Sequence, residues 1–246
     1  MLHESGTGEV VALTGRTTTL RYAPLAGAPR MARLIAAEGP DVLELLHQRL
    51  PGWNVVTDLT HGHRLLRAGA RLRRHAHTMH RDLRYDPPPQ DWAALRPPPP
   101  LRVTTCERPA EALLQAWREA YPPGHPDHVT ADDRTLRTEL LQPLLSGRVL
   151  GPLLEASALV ADGAGTVVAG LIANDRAGTA WISDVFRRRA PAYTGLGGLL
   201  LRRALSGVAG DFARVGLAVT VGNPAQRLDR KLGFEITETT MTFAVP

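Results

Sequence analysis

Apolar and polar positions fall into two blocks on either side of a proline-rich stretch. In the later block, residues 101–107 alternate as a strand. Residues 110–121 carry apolar positions at helical spacing behind Pro109. A second helical stripe, Leu136, Leu140 and Leu141, lies within 131–142, and Pro143 is expected to end it. Residues 158–161 and 166–174 predict a hairpin around Asp162-Gly163-Ala164-Gly165. Residues 179–186 form a further strand, followed by a glycine-rich loop and a helix over 199–205. Residues 215–221 read as a buried strand. Asn223 is expected to cap a short helix that stops at Gly233, and 234–245 alternates as a closing strand. The order βααβββαβαβ is that of an α/β domain with a mixed sheet.

The earlier block repeats part of this pattern. Shifted by 164 residues, Trp53-Asn54-Val55-Val56-Thr57 falls on 217–221, Leu65 to Ala70 falls on 229–234, and Arg74 to Met79 falls on the closing strand. Both ends read strand, short helix with a glycine stop, strand. This predicts a duplicated fold whose first copy is truncated, with Ala26-Gly27-Ala28 as the remnant of its glycine loop. Residues 87–100 hold the two proline clusters and are expected to be a semi-rigid linker. The expected domains are therefore 1–86, the linker 87–100, and 101–246.

At 246 residues either block can bury a core. No apolar run reaches the roughly 18 residues of a membrane helix, and residues 1–6 lack the features of a signal peptide. Cys106 stands alone, so an internal disulfide is excluded, a reducing cytoplasm is expected, and the residue reads as a small buried hydrophobe. Net charge is +5, and all but one of the 29 basic residues are arginine, Lys231 being the exception. That usage, with abundant Ala, Gly and Pro, points to a GC-rich bacterial source. Basic charge suits nucleic acid or an anionic small ligand, and no nucleic-acid-binding motif accompanies it. His61, His63, His75, His77 and His80 are numerous, but no cysteine joins them and arginines surround them, so no metal is expected.

The most informative segment is Ala192-Tyr193-Thr194-Gly195-Leu196-Gly197-Gly198-Leu199. It joins a strand to a helix. Small residues there let backbone N–H groups approach a ligand, and the helix dipole favours an anion. A second segment follows, with Asn223, Ala225, Leu228, Gly233 and Phe234 at fixed spacing. Together the two resemble the GNAT superfamily of acyl-CoA-dependent N-acyltransferases: the first matches Gln/Arg-x-x-Gly-x-Gly/Ala except at its head, and the second matches Asn-x-Ala-x-x-Leu-Tyr-x-x-x-Gly-Phe except at the tyrosine. The resemblance covers 101–246 and implies a GNAT fold there; with the shifted repeat, the first block is then expected to be a degenerate partial GNAT-like domain that supports or caps the acceptor cleft. It also implies acetyl-CoA or a related acyl-CoA as donor and a small-molecule or peptide amine as acceptor. The coenzyme A diphosphate would rest on the N–H groups of 194–199, that is, around Tyr193, Thr194, Gly195, Leu196, Gly197, Gly198 and Leu199. The pantetheine arm would run along the strand at Val185 and Phe186, with Asn223 near its far end.

Two departures bear on chemistry. Ala192 stands at the head of the loop, where Arg187, Arg188 and Arg189 could supply charge instead. Asp229 occupies the slot of the tyrosine that gives a proton to the departing thiolate. An ordinary aspartate is ionised at neutral pH, so Asp229 acts only if desolvated; otherwise it serves as a counter-ion or a surface partner of Arg230 or Lys231. An alkylamine is roughly 0.04% neutral at pH 7, so transfer needs a base. Asp184 is the first candidate, ahead of Asp175 and Glu155. The alternatives are a non-catalytic acyl-CoA sensor or interaction protein, and an arginine-rich nucleic-acid binder. A monomer or homodimer without membrane attachment is expected.

Overall fold

The structure is a computed structural model and describes residues 8–25 and 28–246. Its chain divides into two compact units. One holds the residues up to Thr78 together with Thr237–Pro246; the other is Met79–Ile236.

In the first unit, β1 (Val11–Thr14), β2 (Thr19–Pro24) and β3 (Met31–Glu38) form an antiparallel meander. α1 (Val42–Arg49) then crosses over to β4 (Asn54–Thr57), which lies parallel to β3. α2 (Leu59–Arg67) is capped by Asp58, whose side chain accepts from the His61 N–H. β5 (Arg71–Asp82) follows and crosses into the second unit at Met79. Leu20, Leu34, Leu46, Val55, Leu65 and Phe243 are the centre of this unit's core.

The second unit continues with a 3-10 turn at Gln90–Ala94, then β6 (Arg102–Thr105) and α3 (Ala110–Ala120). α4 (Asp133–Thr135), a π-helical stretch Leu136–Leu141 and α5 (Gln142–Leu145) run on as one helical segment. β7 (Ala158–Ala161), β8 (Val167–Arg176) and β9 (Thr179–Arg187) are antiparallel neighbours. α6 (Leu196–Val208), β10 (Arg214–Thr220), α7 (Gln226–Lys231) and β11 (Glu235–Ala244) complete the chain. The strand order here is β5-β10-β9-β8-β7-β6. One face of this sheet packs on α6 through Leu200, Leu201, Ala204 and Leu205; the other packs on α3 through Leu113 and Trp117. β8 is therefore buried on both faces and reads as a continuous apolar run rather than an alternation.

The 164-residue repeat is structural. Arg71 and Glu235 open β5 and β11 at that separation. Gly69 and Gly233, at the same separation, end the two short helices with φ of +88° and +79°, where a side chain is strained. The closing strands, however, are exchanged. β11 pairs antiparallel with β4 and completes the first unit, while the end of β5 stands beside β10 in the second.

Three expectations change. The boundaries expected at 86 and 101 lie inside the second unit. Residues 87–100 are not a free linker: Arg203 donates to the carbonyls of Ala93 (2.5 Å) and Leu95 (2.8 Å), and the Arg81 and Arg202 guanidiniums lie 5.6 and 5.7 Å from the Trp92 ring. Pro143 does not end its helix. The N–H of Gln142 reaches Arg137 O in the wider π turn, so the missing proline N–H falls where the bonding changes register.

Candidate active site

The site begins with an extra residue in β9. β8 pairs Ile172 with Asp184 but Ala173 with Ile182, leaving Ser183 as a bulge. Ser183 Oγ donates to Asn174 Oδ1 (2.6 Å), and the fully buried Asn174 is itself held by the carbonyls of Leu144 and Gly151. Beyond the bulge β9 bends away. Its parallel pairing with β10 spans Ala180, Trp181 and Ile182 only, although β9 runs on to Arg187 and β10 to Thr220. The result is a split between two strands. The Arg188 N–H donates to Val168 O (2.8 Å). By the alternation of an antiparallel ladder, the backbone groups of Phe186 and Asp184 then face β8, and those of Val185 and Arg187 face the split. This corrects the role expected of Phe186. Its backbone is committed to Gly170, and its side chain is 1% exposed in the core beside α3.

The glycine loop lies at the end of β9. A 3-10 turn (Pro191–Tyr193) leads to Gly195, which has φ +86° and caps α6; an added Cβ there would meet no atom within 4 Å. Of the six N–H groups expected to form the cradle, two are already used: Thr194 donates to Pro191 O and Leu199 to Gly195 O. Those of Gly195, Leu196, Gly197 and Gly198 precede the first helical bond and are available. A Cβ at Gly197 would stand 3.4 Å from Val185 Cγ1, and one at Gly198 would stand 3.6 Å from Leu228 of α7, so small residues keep this end narrow. Tyr193 and Leu199 pack against the α6-side core, and Leu196 lies within it, while Ala192 is exposed. Two members of the arginine run have partners of their own. Arg188 is ion-paired with Glu119 (2.9 Å), and Arg187 donates to Arg188 O.

On the α3 side, the Asp184 carboxylate accepts from Trp117 Nε1 (2.6 Å) and Tyr121 OH (2.5 Å). Burial pushes its pKa up. The bonds from Tyr121 and Trp117 oppose this, the charge of Asp127 adds to it, and the Val185 N–H opposes it. Tyr121 OH is also 3.0 Å from Val185 O. With one proton to donate, it serves the ionised carboxylate and is free to turn to Val185 O when Asp184 is protonated. Trp117, Tyr121, Asp127, His125 and His128 were not singled out from the sequence. For all of these but Trp117 the signal was the run Tyr121-Pro122-Pro123-Gly124-His125-Pro126-Asp127-His128, a kinked loop dense in titratable groups.

Asn223 is not the helix cap. Ala225 is, and Asn223 Oδ1 accepts the Ala225 N–H (2.9 Å) while Nδ2 donates to Asp127 Oδ2 (2.7 Å). Its amide thus holds Asp127 rather than standing open for a cofactor. Asp229 is 5% exposed and has no hydrogen bond or ion pair to its carboxylate among the described residues, contrary to a surface pairing with Arg230 or Lys231. Burial alone raises its pKa to about 6. Asp175 accepts the Gly178 N–H in the turn at the other end of β9, and Glu155 lines a separate cavity of about 450 Å³ with Arg96, Arg102 and Arg203. Cys106 is buried, which lifts its thiol to about 11. His77 bonds Thr239 (2.8 Å), and burial, with Arg214 and Arg176 nearby, pushes His80 down to about 4. Among the described residues no group of three His, Cys, Asp or Glu could hold a metal ion, and no helix is long and apolar enough to cross a membrane.

The corresponding strand-to-helix junction of the first unit is Gly39-Pro40-Asp41, not the remnant expected at 26–28, of which residues 26 and 27 lie outside the described residues. This junction is filled. A Cβ at Gly39 would stand 2.0 Å from Thr17 O, Thr17 Oγ1 donates to Asp41, and the Asp41 N–H is taken by Thr18 Oγ1 (2.9 Å). A carboxylate at the head of α1 also repels a phosphate.

No family model matches the sequence, and no curated protein matches it. Solved structures do. The chain is similar to a GCN5-related N-acetyltransferase from Sphaerobacter thermophilus (18% identity, 93% of this chain and 80% of that chain, TM-score 0.55). It is similar to a tandem GNAT protein from the clavulanic acid biosynthesis pathway (16%, 94% and 79%, TM-score 0.56), and to a GCN5-related N-acetyltransferase from Kribbella flavida (15%, 97% and 90%, TM-score 0.56). At these identities the likeness establishes the fold. Over more than nine-tenths of its length the chain is folded as a GCN5-related N-acetyltransferase.

Proposed function

We propose that the protein is an N-acyltransferase that moves an acyl group from acetyl-CoA, or a related acyl-CoA, to a primary amine. The observation that carries this is the split between β9 and β10, with the free N–H groups of Gly195–Gly198 at one end and Asp184 on its wall. The residues present suit the donor. Gly195 leaves an open, left-handed position at the start of a 13-residue helix, where a diphosphate finds four N–H groups and a favourable dipole. Backbone groups of Arg187 facing the split suit an amide of a pantetheine arm, while those of Val185 are engaged, its N–H with the Asp184 carboxylate and its carbonyl with Tyr121 OH. Bound there, acyl-CoA supplies a thioester carbonyl open to attack by an amine.

The chain's own residues supply the proton transfers. Asp184 takes a proton from the acceptor's ammonium group; its raised pKa makes it a better base than an ordinary aspartate. Trp117 and Tyr121 fix the carboxylate, and Tyr121 can turn to Val185 O as the proton arrives. Asp229 provides a proton for the departing sulfur. With a pKa of about 6 it is about 10% protonated at pH 7, whereas an exposed aspartate is about 0.1% protonated. The lone buried Cys106 suits a reducing compartment, and we place the protein in the bacterial cytoplasm.

The test has two stages. Acetyl-CoA at about 100 times its dissociation constant adds ~2.7 kcal/mol of stability, so the melting temperature rises with acetyl-CoA and not with DNA. Release of free thiol with a panel of amines then distinguishes transfer from binding alone. No shift with acetyl-CoA and no thiol release sinks the proposal.

A further inference from the structure

The loop 121–128 crosses the split and is fastened on both sides of it. At its start, Tyr121 bonds Asp184 on β9. Six residues later the Asp127 carboxylate accepts Thr220 Oγ1, at the end of β10, and Asn223 Nδ2, just before α7. The loop's internal bonds fix this placement. The Asp127 N–H donates to His125 Nδ1 (3.1 Å), the His128 N–H to His125 O (2.9 Å), and His128 Nδ1–H to Tyr121 O (2.8 Å), while the His125 ring meets Tyr121 edge-on at 5.1 Å. Proline at 122, 123 and 126 fixes φ at those positions, and Gly124 permits the φ of +86° between them.

Two carboxylates thus stand on opposite walls of the split, Asp184 on β9 and Asp127 held to β10. They are close enough for the charge of Asp127 to act on Asp184. Trp117 and Tyr121 bond Asp184 as neutral donors, and Thr220 and Asn223 bond Asp127 likewise. Two like charges facing one gap repel each other, and a cation in the gap relieves the repulsion.

We propose that Asp127 determines acceptor specificity: with Asp184 it seats the acceptor's ammonium group across the split, so the acceptor is selected as an alkylammonium ion. One N–H proton then passes to an Asp184 oxygen, leaving a neutral amine and a protonated Asp184, while Asp127 keeps its hydrogen bonds and its charge. This rests on the acyl-transfer reading above.

The experiment compares cadaverine, a dication at pH 7.5, with aniline, which is neutral there. Thiol release from acetyl-CoA is measured for the wild type, Asp127→Asn and Asp127→Glu. Both acceptors meet the same donor, so the ratio of their kcat/KM values cancels any change on the cofactor side. In Asp127→Asn this ratio falls at least about tenfold, mainly through the KM for cadaverine, and Asp127→Glu recovers part of it. An unchanged ratio in Asp127→Asn overturns the proposal. Calorimetric titration of cadaverine into the protein without acetyl-CoA provides an arm independent of turnover. Binding to wild type and its loss in Asp127→Asn supports the seat even if no acyl transfer occurs, and equal binding, or none, overturns it. Failure of the acyl-transfer reading shows separately, as absent thiol release with every amine.

Discussion

Replacing Asp229 by asparagine should make the protein more stable and less active, with a pH dependence that identifies the cause. The carboxyl has an ordinary value of 3.8, and burial raises it to about 6 in the fold. The shift of roughly two units corresponds to about 3 kcal/mol at 1.36 kcal/mol per unit. The sign follows from proton binding. Between the two values the folded state holds a proton that the unfolded state has lost, so stability is favoured at low pH and falls as pH rises through 6. At pH 8 the folded protein carries a buried, unpartnered carboxylate. Asparagine removes that charge, at a cost of about 1 kcal/mol for burying an amide. The amide cost is the same at every pH, so comparing two pH values isolates the ionisation. Of the ~3 kcal/mol, about 2 kcal/mol falls between pH 4.5 and pH 8. Urea unfolding of wild type and Asp229→Asn at both values, followed by tryptophan fluorescence, measures it. Trp92, Trp117 and Trp181 all lie in the second unit with Asp229, so the signal reports mainly that unit. The variant should gain about 2 kcal/mol more over wild type at pH 8 than at pH 4.5, and its acyl transfer should fall. A difference that is flat with pH would falsify the assignment of Asp229 as a buried, unpaired acid.

Asp184→Asn should lower kcat/KM by about 100-fold or more and flatten the acid limb of the pH profile; an unchanged profile removes Asp184 as the base. Gly195→Ala places a side chain at φ +86° in open space, so stability should fall by about 1–2 kcal/mol from backbone strain alone. Its acetyl-CoA dissociation constant should rise by more than that strain accounts for, and normal binding would mean that the loop is a turn and not a cradle. Acetyl-CoA should titrate to one site per chain, because Thr17, Thr18 and Asp41 fill the equivalent junction of the first unit; a stoichiometry of two contradicts that argument.

What could be read from the sequence was what short-range chemistry dictates. Gly195, Gly69 and Gly233 were legible because positive φ selects glycine at strand-to-helix junctions and helix ends. β9, α6, β10 and β11 were legible because apolar spacing reports local geometry, and the 164-residue repeat followed from the same spacing. The proline stretch at 87–100 misled because proline marks an extended chain without saying whether that chain is packed, and here Arg203 binds its carbonyls. The tertiary structure alone decided the rest. Alternation identifies β11 as a strand but not that it pairs with β4, since every strand edge carries the same N–H and C=O groups and only the assembled sheet selects the partner. The Ser183 bulge turns Val185 toward the split and Phe186 away from it, reversing one assignment by a single residue. Asp184 meets Trp117 and Tyr121 from more than 60 positions away, Asn223 meets Asp127 across 96, and Asp229 lost its solvent to packing around a helix too short to reveal its buried face. A group's chemistry depends on its charge neighbours and its water, and both are set by contacts distant in the chain.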